Sequence, residues 1–145
     1  QDIITYVHDR GLSRFPRDRV GDNLYNRGIY NSMLVAEAIR TAQEITGKDV
    51  VDGADVRLGL EAMNITQERI VEMGMEGFMA PLAISCEDHS GHNPVYVAQW
   101  DGNGWTQGTD WMSPMTEFVR PLIEEAARSY AAADAGWPER TEACP

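Results

Sequence analysis

A long amphipathic segment at residues 23–48 is the feature that most constrains the fold of this chain. Its sequence, NLYNRGIYNSMLVAEAIRTAQEITGK, repeats apolar residues at helical spacing and predicts one long helix. The apolar residues form two neighbouring stripes: Ile29, Met33, Ala36 and Ile39 on one, and Tyr30, Leu34, Ala38 and Ala42 on the other. A face this wide has to be covered by more than one partner element. Gly47 is expected to end the helix, and Glu37 with Arg40 is expected on its solvent side.

Two shorter helices are predicted on either side of this segment. Apolar residues at helical spacing predict a helix over residues 2–10, and Gly11 is a natural stop for it. The stretch VDGADVRLGLEAMN, residues 51–64, predicts a helix that begins at Asp52 or Asp55. Its expected buried face consists of Val56, Leu58, Leu60 and Met63.

A third short helix precedes a change to strand-like sequence. The stretch TQERIVEMGM, residues 66–75, predicts a helix with Thr66 as its N-cap and Gly74 as its stop. Residues 80–85, APLAIS, are a candidate strand. Residues 95–110 alternate in polarity on both sides of the turn sequence DGNG, and this pattern predicts a β-hairpin.

The last predicted element is helical. Ser113 and Pro114 have the residue types of an N-cap and a first helical position, and Pro121 is expected to restart the helix. The expected apolar face consists of Leu122, Ile123, Ala126, Ala127 and Tyr130. Long helices combined with a C-terminal hairpin and a terminal helix place the chain in the α/β class.

The charge of the chain excludes several classes of partner. Twelve Lys and Arg are outweighed by 23 Asp and Glu, and the formal net charge is −11. Nucleic-acid binding needs a basic face, so a nucleic-acid partner is not expected, and anionic membrane surfaces are disfavoured for the same reason. The apolar runs are far shorter than the roughly 20 residues of a membrane helix, so no membrane insertion is expected.

A cluster of reactive side chains at residues 85–92, SCEDHSGH, raises the question of a metal or catalytic site. A turn is the favoured interpretation, because a Ser-Gly pair follows His89 and alternation along a strand would point Asp88 and His89 in opposite directions. The alternative is a small cysteine and histidine hydrolase or a metal-binding domain that uses Cys86, Asp88 and His89. The favoured interpretation predicts no catalytic residue, no metal and no cofactor, and therefore no enzyme.

The two cysteines, Cys86 and Cys144, offer a different use for the first residue of that cluster. An even count suits a single disulfide in an oxidising compartment. We therefore predict a disulfide between them, which would tie the C-terminal tail to the strand before the turn.

Four sequence motifs, taken in order, resemble a known family. They are Tyr-x-x-Gly at Tyr25–Gly28 leading into an Ala-rich helix, a Gly-Leu-Glu step at Gly59–Glu61, the turn Asp88–Gly91, and Trp-Asp-Gly at Trp100–Gly102. In this order, over roughly residues 20–135, the chain resembles the C-terminal third of type I periplasmic solute-binding proteins. The similarity is to the branched-chain amino acid and amide-binding group that feeds ABC importers.

The resemblance implies a fold, a function and a location. Residues 1–145 would be the C-terminal portion of a two-lobed protein, with a partial type I binding-protein fold and without the N-terminal lobe segments. The function implied is capture, between two lobes, of a small amino acid, an amide or an aromatic carboxylate. The implied partners are the small-molecule solute, an ABC transporter permease and the remaining segments of the same parent protein, and the implied localisation is periplasmic.

The resemblance also implies ligand-binding residues. The start of the long helix faces the cleft in this family, which here indicates Tyr25, with Asn26 and Arg27 beside it. A tyrosine can stack on an apolar ligand and donate from its hydroxyl group, and Arg27 could pair with a carboxylate. The alternative for Tyr25 is a packing role at the first turn of the helix. For residues 85–92 the family implies a structural turn.

Overall fold

The structure is a computed structural model that describes residues 2–91, 94–134, 136 and 143–144. The chain divides into two compact units, Gln1–Leu60 and Glu61–Pro145. The regular elements are a π-helical turn Ile4–His8, a 3-10 turn Arg17–Arg19, α1 Asn23–Thr46, α2 Gly53–Glu61, β1 Asn64–Ile65, α3 Gln67–Glu72, β2 Leu82–Ala83, β3 Ala98–Trp100, β4 Trp105–Gln107 and α4 Thr116–Ala133.

The first unit begins with a short helical segment, as the sequence predicts. Its core is the π-helical turn Ile4–His8, and Gly11 follows with a left-handed φ of 70° that few other residues adopt easily. His8 Nε2 hydrogen-bonds the carbonyl oxygen of Phe15 at 2.8 Å, and Arg17 pairs with Asp9. These contacts fold the segment before α1 back on itself.

Helix α1 has the predicted bounds. It ends at Gly47, whose φ is 69° and whose N–H donates to the carbonyl oxygen of Gln43 at 2.8 Å. Of the two predicted stripes, the one with Ala38 and Ala42 is buried at these two residues, whereas Ile39 of the other stripe is exposed. The wide apolar face is therefore only partly covered.

The prediction for Glu37 is wrong, because only 5% of the residue is exposed. Arg40 Nε donates to Glu37 Oε2 at 2.9 Å, and the same guanidinium also bonds the carboxylate of Glu44. The hydrogen bond that Arg40 donates to Glu37 is the main reason that the pKa of Arg40 is raised. A cation one turn away allows Glu37 to be buried as a carboxylate, since a buried charge must be paired.

Helix α2 is capped as predicted, by Asp52. Its Oδ1 accepts hydrogen bonds from the backbone N–H groups of Ala54 at 2.9 Å and Asp55 at 3.0 Å. The Asp55 carboxylate is buried and receives Lys48 Nζ at 2.7 and 2.8 Å. This hydrogen bond is the first cause that lowers the pKa of Asp55, and it raises the pKa of Lys48.

Of the predicted buried residues, Met63 is buried but lies beyond the end of α2, and the buried face of α2 itself differs from the predicted one. Asp55 and Gly59 are buried, whereas Leu58 and Leu60 are each 38% exposed. Gly59 lies against α1: a Cβ built on it would overlap the carbonyl oxygen of Ala38 and come within 2.9 Å of the Cβ of Ala42. The two helices therefore approach each other at small residues, and the larger side chains Leu58 and Leu60 of α2 stay partly exposed.

The second unit has a small core built around a two-residue strand pair. β1 and β2 are antiparallel with Ile65 opposite Leu82, and α3 connects them. The buried apolar residues of this unit are Met63, Ile65, Ile70, Met79 and Leu82. The prediction of a strand over residues 80–85 is confirmed only for Leu82–Ala83, and β1 was not predicted, because two residues are too few to show alternation.

Local signals for α3 and the hairpin are confirmed. The Thr66 side chain accepts a hydrogen bond from the N–H of Arg69 at 3.3 Å, and Gly74 ends the segment with a φ of 67°. β3 and β4 pair with Trp100 opposite Trp105, and the Asp101 carboxylate accepts two turn N–H groups at 2.8 Å. These two hydrogen bonds lower the pKa of Asp101.

Helix α4 is continuous from Thr116 to Ala133, so the predicted start at Ser113 and the restart at Pro121 are wrong. Pro121 lies one turn inside the helix, where its missing N–H removes a single hydrogen bond. The predicted apolar residues do share one face, but Leu122 is 60% exposed and Ile123 is 57% exposed.

The described residues thus form a helix-dominated mixed fold with two small antiparallel sheets. This agrees with the coarse α/β class and does not confirm the partial type I binding-protein fold. Within the part of the chain that the structure describes, none of the helices combines the length and the apolar character that crossing a membrane requires.

Substitution of Gly59 by alanine tests the close approach of α2 to α1. We expect Gly59→Ala to lower the free energy of unfolding by about 1–3 kcal/mol, because the added methyl group overlaps backbone atoms that cannot rotate away. Gly28→Ala is the matched control: it is also helical but has no atom within 4 Å of the added group. Helix propensity should make this control up to about 1 kcal/mol more stable. Urea unfolding of both variants measures the difference, and equal effects would contradict the account.

Candidate functional site

Residues 85–91 form a turn held by its own hydrogen bonds, which confirms the favoured interpretation of the reactive cluster. The backbone groups of Ser85 and Asp88 bond each other in both directions, at 3.0 and 3.2 Å. Asp88 Oδ1 also accepts the N–H of Ser90 at 2.9 Å, and Gly91 closes the turn with a φ of 72°. His92, the last residue of the cluster, lies outside the described residues.

The predicted disulfide between Cys86 and Cys144 is confirmed, with the two Cα atoms 5.5 Å apart. Both cysteines of the chain are used in it. A thiolate nucleophile is therefore not available at Cys86, and the alternative of a cysteine and histidine hydrolase is wrong.

Asp88 and His89 have different partners, which separates the groups that a metal site would need to bring together. The Asp88 carboxylate pairs with Arg120 at 2.8 Å, whereas His89 Nε2 lies 3.5 Å from Glu61 Oε1. Among the residues described, no group of three His, Cys, Asp or Glu side chains is arranged to hold a metal ion.

Arg120 on α4 has three different acceptors, and two of them belong to this turn. One terminal nitrogen donates to Asp88, the other donates to the carbonyl oxygen of Glu87 at 2.8 Å, and Nε donates to Glu124 Oε1 at 2.7 Å. The hydrogen bond to Glu124 contributes most to raising the pKa of Arg120, and the charge of Asp88 adds to it. The planar guanidinium holds its donors in a fixed arrangement and can satisfy these acceptors together.

A groove of about 590 Å³ lies between the turn and α4. Its lining residues are Asp88, His89, Ser90, Pro114, Met115, Thr116, Val119, Arg120, Ile123, Glu124 and Ala127. The turn supplies a polar wall, and α4 supplies a mainly apolar wall. The sequence analysis did not identify this groove, although Met115, Val119, Ile123 and Ala127 recur every fourth residue and so share one stripe of a helix.

The predicted ligand-binding residues lie at the first turns of α1, and each of them has a different environment. Tyr25 is half-buried, its ring centroid is 4.9 Å from that of Phe15, and it lines a second cavity of about 540 Å³. Asn26 instead donates to the carbonyl oxygen of Gly21 at 2.9 Å, and Arg27 is exposed. The contact with Phe15 supports the packing role of Tyr25, and ligand binding by these three residues stays a prediction.

The chain is similar to one solved structure over nearly its whole length. That structure is described as the crystal structure of an ABC transporter permease from the Pseudomonas fluorescens group. The two share 37% sequence identity with a TM-score of 0.84, over 96% of this chain and 34% of that chain. The chain therefore spans about a third of the length of the structure it matches. No family model matches the chain, and no curated protein matches it.

This finding overturns the resemblance inferred from the motifs. The prediction of a type I periplasmic solute-binding protein that captures a solute between two lobes is wrong, because the matched structure is described as a permease. The predicted permease partner is corrected as well, since a permease is what the chain is similar to. The ABC transporter context is supported by the same match.

Removal of the disulfide tests how much it stabilises the fold. We expect Cys86→Ala/Cys144→Ala to lower the free energy of unfolding by about 4 kcal/mol, the chain-entropy value for the sequence separation of 58 residues. Chemical unfolding of the two proteins, with and without dithiothreitol, measures the change. The reductant should destabilise the wild type and leave the double variant unaffected. A wild type that is insensitive to full reduction would contradict this expectation.

Proposed function

We propose that the chain is part of an ABC transporter component and takes part in transport. The observation that carries the proposal is the match to a structure described as an ABC transporter permease, at 37% identity and a TM-score of 0.84 over 96% of the chain. One fold can serve many functions, so likeness of fold alone would be weak support. Here the sequence and the fold are similar over the same residues, which is stronger support.

Within that component, we assign these residues a structural and docking role without chemistry of their own. Two observations on the reactive cluster favour this role. Cys86 is held in a disulfide, and the Asp88 carboxylate is engaged by Arg120. The chain spans about a third of the matched protein, so transport itself would be a property of a larger assembly.

The proposed location is an oxidising compartment, the periplasm. The disulfide between Cys86 and Cys144 supports it, because structural disulfides persist in oxidising compartments and are rare in the cytosol. The net charge of −11 would also keep this part of the protein away from anionic lipid headgroups.

Deletion of the gene that encodes this chain tests the proposed function. Uptake of labelled amino acids, sugars, peptides and inorganic ions is measured in the deletion strain and in strains complemented with the wild type or with Gly28→Ala. We expect uptake of one solute class to fall in the deletion strain and to be restored by both genes. The full-length protein, purified in mild detergent, should carry a vanadate-sensitive ATPase with it.

Two results together would overturn the proposal. They are unchanged uptake of every labelled solute and purification of the full-length protein without any ATP-hydrolysing subunit. A third case is that the deletion strain loses uptake and regains it with the wild-type gene while no ATPase co-purifies with the full-length protein. That result would indicate a transporter of another class and would contradict the ABC assignment.

A further inference from the structure

Helix α4 presents an apolar face that the second unit leaves largely exposed. One stripe consists of Met115, Val119, Ile123 and Ala127 and lines the groove, and its neighbour consists of Phe118, Leu122, Ala126 and Tyr130. The exposed fraction is 71% for Met115, 67% for Phe118 and 57% for Ile123. Contiguous apolar surface of this kind, bordered by charged residues, is typical of a protein interaction site.

Arg120 links the two walls of the groove, because it lies on α4 and bonds the turn. It pairs with the Asp88 carboxylate and donates to the carbonyl oxygen of Glu87. A groove fixed before binding loses little conformational entropy when it is filled, so such a surface can bind a partner without first being ordered.

The length of the apolar stripe indicates the shape of the occupant. From Met115 to Ala127 the helix advances by about 18 Å, at 1.5 Å per residue. A partner helix of about 12 residues would match this distance. Side chains spaced three or four residues apart on that helix would enter the groove, as in other helix-in-groove interfaces.

The charges at the rim indicate the flanks of the occupant. The groove is lined by the carboxylates of Asp88 and Glu124 and by one guanidinium, that of Arg120. The guanidinium of Arg120 is already engaged by the first two and by a backbone carbonyl oxygen. The rim is therefore net acidic in an acidic chain, and complementary flanks on a partner would carry Lys or Arg.

We infer that the groove between the turn and α4 is the docking site for a basic amphipathic helix from another subunit of the transporter. This inference rests on the proposed function for the identity of the partner. A second copy of the chain is disfavoured because each copy carries a net charge of −11, and an anionic membrane surface is disfavoured by the same repulsion.

Site-specific photo-crosslinking in the full-length protein tests the inference. Benzoylphenylalanine replaces Met115 in the groove or, as the control, Arg128 on the polar side of α4. Cells are irradiated, and the crosslinked peptides are sequenced by mass spectrometry. We expect an adduct at position 115 with a Lys- or Arg-flanked amphipathic helix of another transporter subunit. At position 128, outside the interface, we expect at least about tenfold less adduct, a difference of the size that a central interface contact makes.

A matched pair of charge substitutions supplies the second measurement. Ile123→Asp places a carboxylate in the apolar stripe, and Ala132→Asp places the same charge on the far side of α4. With the crosslinker at position 115, the first should reduce the adduct about tenfold and the second should leave it unchanged. Both positions are exposed, so both variants should retain the wild-type circular dichroism spectrum.

The possible outcomes test the docking surface and the proposed function separately. A basic amphipathic helix from a protein outside any transporter would support the groove chemistry and overturn the transporter assignment. A second copy of this chain, a lipid adduct alone, or equal adduct yields at positions 115 and 128 would overturn the docking surface and leave the uptake experiment to decide the function.

Discussion

The attachment of the 85–91 turn, by the Cys86–Cys144 disulfide on one side and by Arg120 on the other, is the constraint on which the second unit depends. Among its described residues, this unit buries five apolar side chains, and the strands there contain only two or three residues each. So small a core gives limited hydrophobic stabilisation. The covalent link and the contacts of Arg120 with the turn add to this limited stabilisation, and Arg120 also links the two walls of the groove beside α4.

Features encoded within a few residues could be predicted from the sequence. Gly47 ends α1 because its left-handed conformation suits glycine, Thr66 caps α3 through a side chain three residues from the N–H it accepts, and the Asp-Gly sequence at residue 101 closes the hairpin. The turn at residues 85–91 was predicted on similar grounds. Each of these features depends on local backbone chemistry. The disulfide was predicted from the even cysteine count, although its two cysteines are 58 residues apart.

Features that depend on distant packing could not be predicted. The spacing pairs Glu37 with Arg40 but does not show that Glu37 is buried, and Gly59 is buried because α1 approaches it closely. Neither burial is visible in helical periodicity. The motif order that resembled a solute-binding protein failed for a related reason: glycine turns and helix starts, such as Tyr25–Gly28, are boundary signals used by many folds, so they carry little information about function.

Hydrogen exchange of the full-length protein, oxidised and fully reduced, tests most directly whether the turn is the support of the second unit. The account predicts that reduction lowers amide protection at least about tenfold, equivalent to about 1.4 kcal/mol, in residues 82–91 and 116–127. Helix α1, in the first unit, serves as the internal reference and should keep its protection. Unchanged protection in both segments, with reduction of the disulfide verified by mass, would contradict the account.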